Sequence, residues 1–231
     1  MKQGENKRIF YTEAAYLIGV LTCTVGIALM EKSDFGVSMV VAPAYLLHLK
    51  LVQSFPFFTF GVAEYTFQAL LLGVIMLVLK KFRWSWFFSF VTAFLVGTVL
   101  DIVMLPVAKL PADTVAWRLL WYVLGMQFCA FGISLMFRTY LSPEVYELFV
   151  KLLSGRLGME LTRFKTIYDC GSCLLGVLLS FLFFGFGHFE GVKWGTIVCA
   201  VVNGRFIGWW TDFFGNRFTF TDRFPKLKGY F

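Results

Sequence analysis

Six long apolar runs, at residues 11–30, 56–79, 84–107, 115–136, 161–185 and 194–214, alternate with short polar connections along the chain. A hydrocarbon layer about 30 Å thick is crossed by a helix rising about 1.5 Å per residue, and every run is long enough to do so. The pattern therefore predicts six transmembrane helices. Two shorter apolar stretches lie between them. Residues 36–51 are interrupted by Pro43; residues 142–157 begin with Pro143 and set Val145, Leu148, Leu152 and Leu153 against Glu144, Glu147, Lys151 and Arg156, the pattern of a short amphipathic helix. Each half reads span, short helix, span, span.

The halves are also related in sequence. Gly26-Ile27-Ala28-Leu29-Met30 returns 106 residues later as Gly132-Ile133-Ser134-Leu135-Met136. Tyr65 with Gly73 matches Tyr168 with Gly176, and Ala93 with Gly97 matches Ala200 with Gly204, in the same order. The expected architecture is all-α and polytopic, with repeat 1 over about 11–107, repeat 2 over about 115–214 and a basic tail at 215–231. Three spans per half, an odd number, make the second repeat inverted relative to the first, and substrate sites of such transporters lie at the repeat interface. The repeated pentapeptide, which closes the first span of each half, is expected to mark a hinge-like entry to that interface.

Composition excludes a soluble fold of this size: of 231 residues 58% are hydrophobic and 15% charged, with 29 Phe. The net charge of +7 sits in clusters between the apolar runs and reads as topology, with no nucleic-acid partner. With the N-terminus inside, the inner connections hold 15 Lys and Arg and the outer ones five, which places both termini in the cytoplasm of a cell (inner) membrane protein. Trp84, Trp86, Trp117, Trp121 and Trp194 near span ends fit interfacial anchors.

Ionisable groups inside spans are costly and need a partner or water. Glu64, Asp101, Asp169 and Arg205 qualify, and Arg205 is expected to pair with Asp101 or Asp169. Together with Asn203 they form the candidate substrate or ion pathway, for a small solute coupled to protons or sodium. Ser38 and Ser142 stand at the turns into the short helices, where a hydroxyl caps a helix N-terminus. Cys170-Gly171-Ser172-Cys173 has redox spacing but no second cysteine pair to relay to, and His48 and His188 lack metal-ligand spacing. No nucleophile elbow, P-loop, HExxH or dinucleotide motif occurs, so neither an enzyme nor a cofactor or metal is implied. The competing reading is a non-transporting accessory or scaffold protein; either is compatible with an oligomer.

Several short motifs resemble the YczE/YyaS/YitT-like bacterial integral membrane proteins. Gly36-Val37-Ser38-Met39 resembles that family's turn into a short helix, with Met39 in place of Pro, and Leu141-Ser142-Pro143-Glu144 resembles its second copy without the Gly. Trp194-Gly195-Thr196-Ile197, followed by Asn203-Gly204, resembles the signature near the last span. Arg163 before Asp169 resembles a basic-then-acidic pair in the fifth. The resemblance implies a bacterial polytopic membrane protein and names no substrate.

Overall fold

The computed structural model describes residues 8–81, 83–187 and 189–225. Among them the order is β1 (Arg8–Tyr11), α1 (Thr12–Ser33), α2 (Ala42–Leu51), α3 (Phe60–Leu79), α4 (Trp84–Val107), α5 (Val115–Met136), α6 (Val145–Leu157), α7 (Leu161–Phe184), α8 (Trp194–Arg217) and β2 (Phe218–Thr221). Five helices, α1, α3, α4, α5 and α7, are long and apolar enough to cross a membrane. Their outward faces carry large apolar side chains such as Leu77, Leu105 and Leu182, each at least 70% exposed. In water those faces would aggregate, so the fold is mainly α-helical and consistent with a polytopic membrane protein. The helix boundaries lie where the hydropathy pattern changes. Thr59 and Thr114 cap α3 and α5, accepting from Val62 N and Trp117 N, and α6 stops at Gly158 in the left-handed region, φ 64°.

The centre of the bundle is the crossing of α1 with α5. Gly19 meets Gly132 and Met136, while Gly26 meets Gly125 and Cys129, so the two helices run antiparallel. A methyl placed on Gly26 would stand 2.6 Å from Cys129 N, and one on Gly132 would stand 2.7 Å from Cys23 N. Backbones this close exclude every residue but Gly. The contacts exchange with one another under the 106-residue offset: the Gly19–Gly132 pair becomes Gly125–Gly26, and Met136 on Gly19 becomes Met30 on Gly125. The repeated pentapeptide thus lies in a tightly packed seam between α1 and α5.

Around the seam, α4 packs on α1 and α8 on α5, while α2 and α6 each contact both α3 and α7. Helices α3 and α4 are held together along their length by Gly61 against Gly97 and by Tyr65 against Phe94, ring centroids 5.4 Å apart. Helices α7 and α8 touch at few positions. At one end of the bundle β1 and β2 pair in parallel, Arg8 opposite Phe218 through Tyr11 opposite Thr221, and Tyr140, from the α5–α6 connection, donates to Glu13 there. At the other end Asp34 meets Lys193 and Arg118, the latter at 3.4 Å, and Lys32 donates to Ala108 O. Lys32, Arg118 and Lys193, three cations that the charge count groups together, therefore lie at one end of the bundle. Trp84, Trp117 and Trp194 are exposed as interfacial anchors would be, but Trp86 is buried against Ile75 and Ala93 and serves the core.

Candidate functional site

Where α7 and α8 part, a cavity of about 490 Å³ opens between the α1/α5 seam and helices α6, α7 and α8. Its floor is apolar and sulfur-rich, with Cys23, Ile27 and Met30 from α1 and Cys129, Ile133 and Met136 from α5. The turns into both short helices reach it, residues 38–41 from the first half and Pro143, Glu144 and Glu147 from the second. Of the residues expected from sequence, Ser38, Asp169, Asn203 and Arg205 line this cavity, whereas Glu64, Asp101 and Ser142 do not.

The charged wall comes from α6 and α7. Lys165 Nζ lies 2.9 Å from Glu147 Oε1 and 3.8 Å from Asp169 Oδ1; Lys165 and Asp169, four residues apart, share one helix face. Both acids are at most a quarter exposed and Lys165 about a third, so loss of the cation would strand two carboxylates in a poorly solvated wall. Next along α6 stands Glu144. Burial, with the Glu147 carboxyl beside it, pushes the Glu144 carboxyl up to about 7, partly offset by a hydrogen bond from Gln68. Gln68 Nε2 donates at 3.2 Å to Glu144 Oε2 and at 3.2 Å to Glu64 Oε1, while its Oε1 accepts from Val145 N at 3.0 Å. A polar chain therefore runs from Glu64, fully buried on α3, through Gln68 to Glu144 at the cavity.

Several expectations are corrected. Arg205 forms no ion pair with Asp101 or Asp169 among the described residues; it is exposed on the cavity wall, and Lys165 is the cation that Asp169 faces. Asp101 is a structural cap: it accepts from Thr59 Oγ1 at 2.5 Å and from Gly61 N at 2.8 Å, tying α4 to the start of α3. Asp101→Ala should lower stability by about 1–2 kcal/mol through loss of that cap. The check is apparent melting temperature in detergent, with ligand binding at the cavity unchanged. Neither N-cap residue, Val41 of α2 or Glu144 of α6, caps its helix through its own side chain. The Ser38 carbonyl, not its hydroxyl, accepts from Val41 and Ala42 N, and α6 starts behind Glu144 with Ser142 upstream of its cap. The start of α2 is thus closed by the Ser38 carbonyl, and the first N–H of α6 by Gln68 Oε1.

The remaining candidates are unremarkable in geometry. Cys170 is exposed and Cys173 half-buried, both as free thiols. His48 Nδ1 lies 2.8 Å from Phe58 O and its ring stacks on Phe60; His188 lies outside the described residues. No three His, Cys, Asp or Glu side chains among the described residues converge to hold a metal. The chain Gln68, Glu144, Glu147 and Lys165 escaped the sequence reading. Charges on a short amphipathic helix read as a solvated face, and only the four-residue spacing of Lys165 and Asp169 signalled a pair.

Residues 10–212 match a family of unknown function, DUF6198. No curated protein and no solved structure matches the chain.

Proposed function

Because the chain belongs to the DUF6198 family, whose function is unknown, we propose from its geometry that it is a secondary transporter of a small solute. The observation that carries this reading is the cavity, reached by both short-helix turns and carrying Glu144, Glu147, Lys165 and Asp169 beside Arg205, which has no ion-pair partner among the described residues. Arg205 is the anion-facing element: its guanidinium is planar and always charged, so a carboxylate or phosphate on the solute would find a bidentate partner there.

The reading includes a sixth crossing by α8 and inverted repeats. Strands β1 and β2 pair directly before α1 and directly after α8, so both lie on one face of the bilayer and the chain crosses an even number of times. Five apolar helices leave one crossing to supply. Helix α8, 24 residues long, rises about 36 Å and supplies it; its Asn203 and Arg205 face the cavity, which lowers its hydropathy. The exchange of α1/α5 contacts under the repeat offset supports an internal two-fold axis in the membrane plane. The charge bias then puts both termini on the cytoplasmic side of the cell membrane.

The two halves stand in different states, with α3 and α4 closed on each other and α7 and α8 parted. Exchange of those states, opening the first pair and closing the second, gives a cavity facing the opposite side about a fixed seam. Alternating access follows from that exchange.

The test is counterflow in liposomes across a metabolite panel with imposed proton or sodium gradients. Exchange of one solute class supports transport; its absence from folded protein under every gradient supports the scaffold alternative. Arg205→Ala should abolish exchange while leaving the melting temperature within about 1 °C of the parent, because a surface side chain with no partner contributes little to stability. A large loss of stability would make Arg205 structural.

A further inference from the structure

The Glu64, Gln68 and Glu144 cluster is buried where its chemistry is not yet accounted for. Glu64 and Gln68 are fully buried. Val145 N donates to Gln68 Oε1, which fixes the amide so that its nitrogen faces both carboxyls. A neutral amide supplies two N–H groups and no positive charge. The cation of this region, Lys165, gives its contacts to Glu147 and Asp169. Two ionised carboxylates on one neutral donor, with no cation between them, would repel each other in a medium that screens poorly.

Glu64 Oε2 and the Tyr146 hydroxyl are buried neighbours. A phenol O–H can donate to a carboxyl in either protonation state, so the charge of the cluster is decided by the two carboxyls and the neutral amide between them. A sodium ion in the same place would have to displace the Gln68 nitrogen, which already occupies the space between the two carboxyls.

We propose that Glu64 and Glu144, joined through Gln68, together hold one exchangeable proton, and that this proton is the coupling ion of the transport cycle. The second clause rests on the transport reading; the first does not. The exchangeable proton sits on Glu144, which lines the cavity, and leaves by breaking that carboxyl's O–H bond and passing to water there, so that the pair is left with two negative charges. Glu64 belongs to α3 and Glu144 to the start of α6, so this repulsion acts across the contact between the two halves. Facing the pair are Tyr146 and Glu147 from α6, Lys165, Tyr168 and Asp169 from α7, and Tyr16 and Cys23 from α1. Lys165 is the cation of that set.

The sign of the pH dependence follows. A carboxyl raised on folding binds a proton that the unfolded chain has released, so stability falls as pH rises from the ordinary carboxyl value of 4.5 to about 7. Above that the penalty is complete.

Infrared difference spectroscopy of the purified protein in nanodiscs, titrated across about pH 5 to 9 in sodium and again in choline, tests this without any substrate. The expected result is one neutral-carboxyl C=O band that disappears near pH 7 equally in both salts. Glu64→Gln and Glu144→Gln should each move or remove that band, because each takes away one of the two carboxyls joined through Gln68. A parent protein with no neutral-carboxyl band, a band unaffected by either substitution, or one displaced by sodium at constant pH overturns the proton site. Should one variant fail to fold, the parent band and its salt dependence still decide. Solute exchange that is independent of the proton gradient, with the band present, keeps the proton site and overturns its coupling role. No exchange of any solute, with the band present, overturns the transport reading alone.

Discussion

Gly26→Ala should cost about 3 kcal/mol, at the upper end of overpacking costs, and most of the protein should be lost during purification. The added methyl would lie 2.6 Å from Cys129 N and 2.7 Å from Gly125 O, both backbone atoms of α5 that cannot step aside as a flexible side chain would. The whole α1/α5 crossing must widen. Gly132→Ala should cost about as much, since its methyl meets Gly19 O and Cys23 N in the equivalent arrangement. Gly204→Ala is the control: nothing lies within 4 Å of that position, and Ala is the better helix former by nearly 1 kcal/mol. Apparent melting temperatures in one detergent compare the three. A Gly26→Ala protein that melts with the parent would mean that α1 and α5 are not in contact at this seam.

Lys165→Met is the second large effect. It removes the cation shared by Glu147 and Asp169 and should destabilise the protein by about 3 kcal/mol, the lower end for breaking a poorly solvated ion pair. Lys165→Met combined with Glu147→Gln and Asp169→Asn should recover most of that loss, because the stranded charges are then gone too. It should not recover solute exchange. The deficit of the single variant should also shrink as pH is lowered, since a protonated carboxyl needs no cation. Thermal melts at several pH values measure this. A deficit that does not change with pH would mean that the loss is one of packing.

Much of the fold was legible because apolar length is a strong signal where lipid is the solvent. The ends of α4, α5 and α8 were readable from Trp84, Val115 and Trp194, each the first residue after a polar connection. The site was legible only in part. Asp169, Asn203 and Arg205 stood out as polar residues in apolar runs and do line the cavity. Asp101 stood out for the same reason, but a carboxyl near the end of one helix can reach the open N–H groups of the next, and a sequence does not show which helix end is adjacent. Glu144 and Glu147 were read as the wet side of α6. That inference fails for a short helix enclosed by α3, α4 and α7, where the side away from the apolar core is a cavity wall and not solvent. Gln68, being uncharged, gave no signal, yet it orients both acids.

The pairing of β1 with β2 also constrains how the molecule is assembled. Strand β1 is synthesised before all eight helices and β2 after them, with 206 residues between Tyr11 and Phe218. Throughout synthesis β1 has no partner and the small-residue face of α1 waits for α5. The ribbon can therefore form only after the whole helical array is in the bilayer, so it acts as a latch that closes last. A chain stopped at Arg217 would carry every helix and still lack that closure.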